Sequence, residues 1–128
     1  MSEKNSLPAS ATKTLLKALS QWGDTTTVVL HGGSVFEFKG PFPDGCMAEG
    51  HYNLQGGRPG FEGHLNLSLI HRVTFQDKTH RGAESYAFVF ENAAAEPVFK
   101  VFVGRDKEGT LIASQVEAFK RIQSTLSI

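Results

Sequence analysis

The chain has 128 residues, and its 13 Lys and Arg balance its 13 Asp and Glu. This length is enough to bury the core of one domain, and the balanced charge provides no basic field for nucleic acid or an anionic membrane. No apolar run approaches the roughly 18 residues of a membrane span, and the polar N-terminus lacks the apolar stretch of a signal peptide. The single cysteine, Cys46, excludes an internal disulfide and is typical of a reducing compartment.

We therefore expect a cytoplasmic protein in which residues 1–9 are flexible and residues 10–128 form one domain. From Ser10, leucines at helical spacing predict a helix that ends at Gly23, and a second helix is predicted over 106–125. Alternating or β-branched stretches between them predict about seven strands, over 25–31, 35–39, 51–54, 61–76 with a break near Ser68, 85–90 and 98–103.

These patterns predict an α+β fold, with a large antiparallel sheet of about seven strands and an N-terminal and a C-terminal helix packed on it. Helices on one face of a sheet leave its other face for a partner. We therefore expect a homodimer.

One predicted hairpin brings two histidines together. Residues 55–60 are rich in glycine and proline, which are poor strand formers, so we take them as its loop. Antiparallel pairing of the flanks then places Leu54 opposite Phe61 and His51 opposite His64. In that register the Cβ atoms of the two histidines are roughly 5 Å apart.

Strand alternation divides this hairpin into two faces. Tyr52 and Leu54 lie on the face predicted to meet the core. His51, Asn53 and His64 lie on the opposite, polar face. A slip of one residue would separate the histidines onto different faces.

Short motifs along the chain match one family in order and in near-matching spacing. They are Trp22-Gly23, Glu37-Phe38-x-Gly40, Pro43-x-Gly45, Gly50-x-x-Asn53-Leu54-x-Gly56, Gly60-x-x-Gly63-His64, Leu69-Ile70 and Phe99-Lys100-x-Phe102-x-Gly104-Arg105-Asp106. Through them the sequence resembles the ChuX/HutX-like haem-utilisation carriers, cytosolic proteins encoded with bacterial haem-uptake systems. The resemblance implies a homodimer with broad antiparallel sheets that binds and transfers haem, without a settled enzymatic activity.

The resemblance also indicates iron ligands. His64 occupies the place of a family histidine, and His51 stands where some members have a tyrosine that ligates iron. Tyrosine is found one position further on, as Tyr52. We predict His64 first and His51 second as metal ligands, with Tyr52 as a further haem contact.

Haem also needs an apolar wall and partners for its propionates. The candidates for the wall are Met47, Phe42 and Phe75. Arg58, Arg72 and Arg105 are candidate propionate partners among which the sequence does not select, and Arg58, in the predicted hairpin loop, is included among the predicted haem-binding residues.

We interpret the chain as an intracellular carrier that accepts imported haem and passes it to a downstream protein. One alternative is a haem-degrading enzyme resembling an oxygenase, and another is a dimeric structural or regulatory protein that has lost the haem site. A zinc site is less favoured because the histidines lack the short paired spacing of zinc ligands. The sequence has no nucleophile-elbow, P-loop or dinucleotide fingerprint.

Overall fold

The computed structural model describes residues 5–55, 60–80 and 83–128, and these residues form nine strands and two α-helices. The strands are β1 (Ser6–Pro8), β2 (Asp24–His31), β3 (Ser34–Pro41), β4 (Gly45–Ala48), β5 (His51–Leu54), β6 (Gly63–Leu65), β7 (Arg72–His80), β8 (Ala83–Glu91) and β9 (Pro97–Val103). The helices are α1 (Thr12–Leu19) and α2 (Ala113–Thr125), and short 3-10 helices span Ala9–Ala11 and Leu67–Leu69. The predicted α+β fold, with a large antiparallel sheet and two packed helices, is confirmed.

The strands form two sheets, whereas the sequence predicted one sheet of about seven strands. A six-stranded antiparallel sheet has the order β1-β7-β8-β9-β2-β3, and a three-stranded sheet has the order β4-β5-β6. The predicted break near Ser68 is present, because a 3-10 helix separates β6 from β7. Periodicity identifies the residues of a strand but not the neighbour with which it pairs, and the prediction was wrong at this step.

The first strand falls in the segment predicted to be flexible. β1 pairs antiparallel with β7, and Leu7 is only 1% exposed within the core. Burial of one leucine side chain contributes about 1.5–3 kcal/mol, which favours an ordered strand here despite its polar flanks.

Aromatic side chains join the helices to the large sheet. Phe119 of α2 lies 4.9 Å from Phe88 and 5.7 Å from Phe75, measured between ring centroids. Three leucines of α1 are completely buried in the same core. Both helices therefore cover one face of the six-stranded sheet, and neither helix of the described chain is long and apolar enough to cross a membrane.

Gln115 connects three distant parts of the chain. Its side chain is 2% exposed. The amide oxygen accepts from the backbone N–H of Gly104 at 2.8 Å, and the amide nitrogen donates to the carbonyl oxygens of Trp22 at 3.0 Å and Asp24 at 2.7 Å. These bonds hold the start of α2 against the end of β9 and the connection from α1 to β2.

The second helix begins later than predicted. Instead of starting the helix, the Asp106 carboxylate accepts from the backbone N–H groups of Glu108 and Thr110, each at 2.9 Å. Gly109 has a positive φ of 83° in the same turn. The local turn therefore replaces helical hydrogen bonds until Ala113.

We predict that Gln115→Leu destabilises the fold by about 3–5 kcal/mol, because a buried N–H and two carbonyl groups lose their partner. Urea unfolding measures this change. Gln123→Leu, at a half-buried position on the same helix, is the matched control and should shift the free energy of unfolding by less than about 1 kcal/mol. Equal effects of the two variants would contradict the assigned role of Gln115.

Candidate functional site

The hairpin of β5 and β6 pairs in a different register from the predicted one. Asn53 lies opposite His64, Tyr52 opposite Leu65 and Leu54 opposite Gly63. His64 therefore does not lie opposite His51, and the two histidines are diagonal neighbours. Diagonal neighbours of this kind are roughly 7–8 Å apart.

The change of register preserves both faces of the hairpin. The partner of each residue shifts by two positions, and side chains alternate with a period of two. His51, Asn53 and His64 therefore share the outward face, as predicted, while Tyr52 and Leu54 are buried beneath it.

Phe61 provides a physical reason for the new register. Its ring lies 4.7 Å from that of Phe38 on β3 and 6.2 Å from that of Phe42, measured between centroids. Aromatic contacts of this kind contribute about 0.5–1.5 kcal/mol beyond their buried area. Phe61 therefore leaves the ladder to pack against the six-stranded sheet, and β6 begins at Gly63.

The side chain of Asn53 is held by backbone carbonyl groups on its own sheet. Its amide nitrogen lies 3.0 Å from the His51 oxygen, 3.1 Å from the Ala48 oxygen and 3.3 Å from the Cys46 oxygen. All three atoms only accept hydrogen bonds. The amide nitrogen must therefore face them, and the amide oxygen points away toward β6.

That oxygen meets His64. The distance from Asn53 Oδ1 to His64 Nδ1 is 2.6 Å. Because a carbonyl oxygen only accepts, Nδ1 must carry the hydrogen. The neutral imidazole then has its lone pair on Nε2, and His64 is solvent-exposed. A neutral Nε2 with a fixed ring orientation is suited to bind a metal.

The edge of this sheet is connected to helix α1. Lys17 Nζ donates to the Asp44 carboxylate at 3.0 Å and to the carbonyl oxygen of Gly45. The hydrogen bond from Lys17, and then that from the Gly45 N–H, lower the pKa of Asp44. Its contribution to stability is therefore present above the ordinary carboxyl pKa and is lost as pH falls through the lowered value.

Tyr52 is placed in the core and not on the outward face. Its side chain is completely buried, and its hydroxyl has no hydrogen-bond partner within the described part of the chain. Burial raises the pKa of this hydroxyl, which disfavours a phenolate. The expectation that Tyr52 contacts haem therefore does not fit its position, because strand alternation turns it away from His64.

The remaining predicted residues are spread over the molecule. His51 is exposed on the face of His64, and its Nδ1 lies 3.3 Å from the Glu49 carbonyl oxygen. Arg58 lies outside the described residues. Met47 is 46% exposed, whereas Phe42 and Phe75, the other two wall candidates, pack into the aromatic core.

The alternative propionate partners are engaged elsewhere. Arg105 donates to the carbonyl oxygens of Gly109 and Glu84, at 2.8 and 2.7 Å, and Arg72 lies 3.9 Å from Glu91. Neither contact brings a guanidinium to the face of His64.

Sequence reasoning placed Asn53 on the polar face but assigned it no role. A register with Leu54 opposite Phe61 places Asn53 opposite Glu62, whereas in the structure Asn53 faces His64. The correct register would have indicated this pair, but it depends on the packing of Phe61 against a strand of the other sheet.

Comparison with known proteins identifies the family. The model of the family described as haem utilisation ChuX/HutX matches residues 5–122. The chain belongs to this family. Over 111 residues it is 43% identical to the intracellular heme transport protein HutX of Vibrio cholerae. The matched region covers 87% of this chain and 58% of that relative. The chain thus spans less than two thirds of the relative's length.

Solved structures agree on the fold. The heme-binding protein ChuX superposes with a TM-score of 0.85 at 27% identity, over 95% of this chain and 76% of that one. ChuS, an Escherichia coli heme oxygenase, superposes with a TM-score of 0.71 at 17% identity, over 89% of this chain and 36% of that one. At that identity the likeness to ChuS concerns the fold alone.

We predict that Tyr52→Phe leaves haem affinity unchanged. It should also leave the free energy of unfolding unchanged or raise it by no more than about 1 kcal/mol. The reason is that it removes a buried hydroxyl without a partner. Haem titration and urea unfolding of the variant measure both. Loss of haem binding with an intact fold would show that Tyr52 reaches the iron.

Proposed function

We propose that this protein is an intracellular haem carrier that binds haem through Nε2 of His64 and passes it to a downstream protein. The single observation that carries the proposal is the exposed imidazole of His64. Its Nδ1 is held by Asn53, so that the lone pair of Nε2 is available to bind iron. The family membership and the HutX relative, an intracellular heme transport protein, support the same cargo and location.

The position of His64 suits transfer as well as binding. The residue is exposed on the outward face of a three-stranded sheet, where an acceptor protein can approach the bound haem. His51 lies on the same side and does not face His64 across a porphyrin. We therefore propose His64 as the main ligand, His51 as an alternative, and Arg58 as a propionate partner.

We predict that ferric haem produces a saturable Soret shift in the purified protein and that His64→Ala weakens binding by more than about tenfold. Since His64 is exposed, the substitution should leave the fold intact, which far-UV circular dichroism checks. His71→Ala, at an exposed histidine next to β7, is the matched control and should bind as the parent does.

His51→Ala separates the two candidate ligands. Its affinity should stay within a few-fold of the parent. Loss of binding with His51→Ala alone would move the ligand to position 51, and the absence of a saturable shift in the parent would contradict the carrier proposal.

An enzyme that degrades haem is the second candidate function, supported by the likeness in fold to the oxygenase ChuS. The two functions differ when a reductant and oxygen are supplied to the haem complex. A carrier leaves the porphyrin spectrum intact, whereas an oxygenase breaks the ring and releases iron and carbon monoxide. We propose that the porphyrin stays intact.

A homodimer is proposed through the outer face of the six-stranded sheet. This face, opposite the helices, forms an open groove of about 750 Å³. Its floor includes Val28 and Phe102, and Val35 at its edge is 58% exposed. Exposed apolar side chains such as Val35 are typical of interfaces, and polar and charged side chains line the rest of the groove. A second copy related by a twofold axis would cover the same surface on both chains.

Charges in the groove also favour a second copy. Glu37 and Lys100 both line it, so a twofold axis can bring a carboxylate of one copy to an ammonium of the other. Burial, and then the nearby Lys78 ammonium, lower the pKa of Lys100, so this site disfavours the charge and a carboxylate from a second copy would stabilise it.

We predict that Val35→Glu converts a dimer into a monomer, because it replaces an apolar side chain that the interface would bury with a charged one. Size-exclusion chromatography with light scattering measures the mass. Leu69→Glu changes an equally exposed apolar side chain outside the groove and should leave the dimer unchanged. A parent protein that is monomeric at all concentrations would contradict the proposal.

A further inference from the structure

We propose that Asn53 is a positioning residue that fixes the tautomer and ring orientation of His64. The role of this positioning in haem binding rests on the proposed function, whereas the hydrogen bonds themselves do not. The amide of Asn53 connects all three strands of the small sheet, from β4 through its own strand β5 to β6.

The direction of each hydrogen bond follows from its partners. Three backbone carbonyl oxygens surround the amide nitrogen of Asn53, and a flipped amide would place its oxygen against all three. The amide oxygen must therefore face Nδ1 of His64, at 2.6 Å. No other hydrogen bond to the His64 ring is made within the described residues.

The consequence for a haem ligand is specific. An imidazole free to change tautomer spends part of its time with a hydrogen on Nε2, which cannot then bind iron. Holding the hydrogen on Nδ1 removes this competition and limits rotation of the ring. Partners that orient a metal-binding histidine typically change metal affinity about 10–100-fold.

The backbone carbonyls also explain why asparagine suits this position. Leucine has nearly the same size but no donor or acceptor. Aspartate keeps an oxygen toward His64 but lacks the N–H groups that face the three carbonyls. Only the amide supplies donors on one side and an acceptor on the other.

The first test uses the protein without haem. We predict that two-bond proton–nitrogen correlation spectra, recorded where the imidazole is neutral, show the hydrogen of His64 on Nδ1. Asn53→Ala should convert His64 to a mixture of tautomers. Asn66→Ala removes a side-chain amide from the same outward face. Among the described residues that amide bonds only Ser68, so the variant is the matched control and should leave the His64 spectrum unchanged.

The second test adds ferric haem. We predict that Asn53→Ala weakens binding about 10–100-fold, whereas Asn66→Ala does not. Asn53→Asp should retain the Nδ1 hydrogen and bind more tightly than Asn53→Ala.

These outcomes distinguish positioning from simple support of the fold. If Asn53 only stabilises the sheet, Asn53→Asp and Asn53→Ala should impair binding in proportion to their loss of stability in urea, and the tautomer of His64 should not change. A hydrogen on Nε2 of His64 in the parent, or an unchanged tautomer in Asn53→Ala, would overturn the inference. If the parent binds no haem, the carrier proposal fails while the tautomer result still decides the role of Asn53.

Discussion

The buried amide of Gln115 is the constraint on which the arrangement of helices and sheet depends. It satisfies one N–H and two carbonyl groups from segments far apart in the chain, at the point where α1, β2, β9 and α2 meet. Gly104 permits this meeting, since an added Cβ would lie 2.1 Å from the Asp24 oxygen. Such backbone groups would be costly to bury without a partner, so one side chain stabilises the whole junction.

A side-chain amide with the same arrangement of hydrogen bonds is found in the small sheet, at the candidate site. Asn53, like Gln115, has an amide whose donor side faces carbonyl oxygens and whose acceptor side faces an N–H. In the core the amide joins elements of the fold. On the surface it orients one imidazole, and the proposed haem ligand is thereby held by the backbone of two other strands.

Strand alternation in the hairpin separates the face of the proposed haem ligand from the face that packs in the core. Tyr52 lies between His51 and Asn53 in sequence but on the opposite face, where it is completely buried. The outward face can therefore accept a ligand while the inward face packs beneath it. Lys17 and Asp44 add a contact between the edge of this sheet and α1.

The sequence by itself determined the α+β class, the family and the faces of the hairpin, because periodicity and short motifs are local properties. It also placed His51, Asn53 and His64 together. Only the tertiary structure decided that the strands form two sheets. It also decided that His64 faces Asn53, because Phe61 packs against the aromatic rings of Phe38 and Phe42. Such contacts join residues distant in the chain, and no local pattern records them.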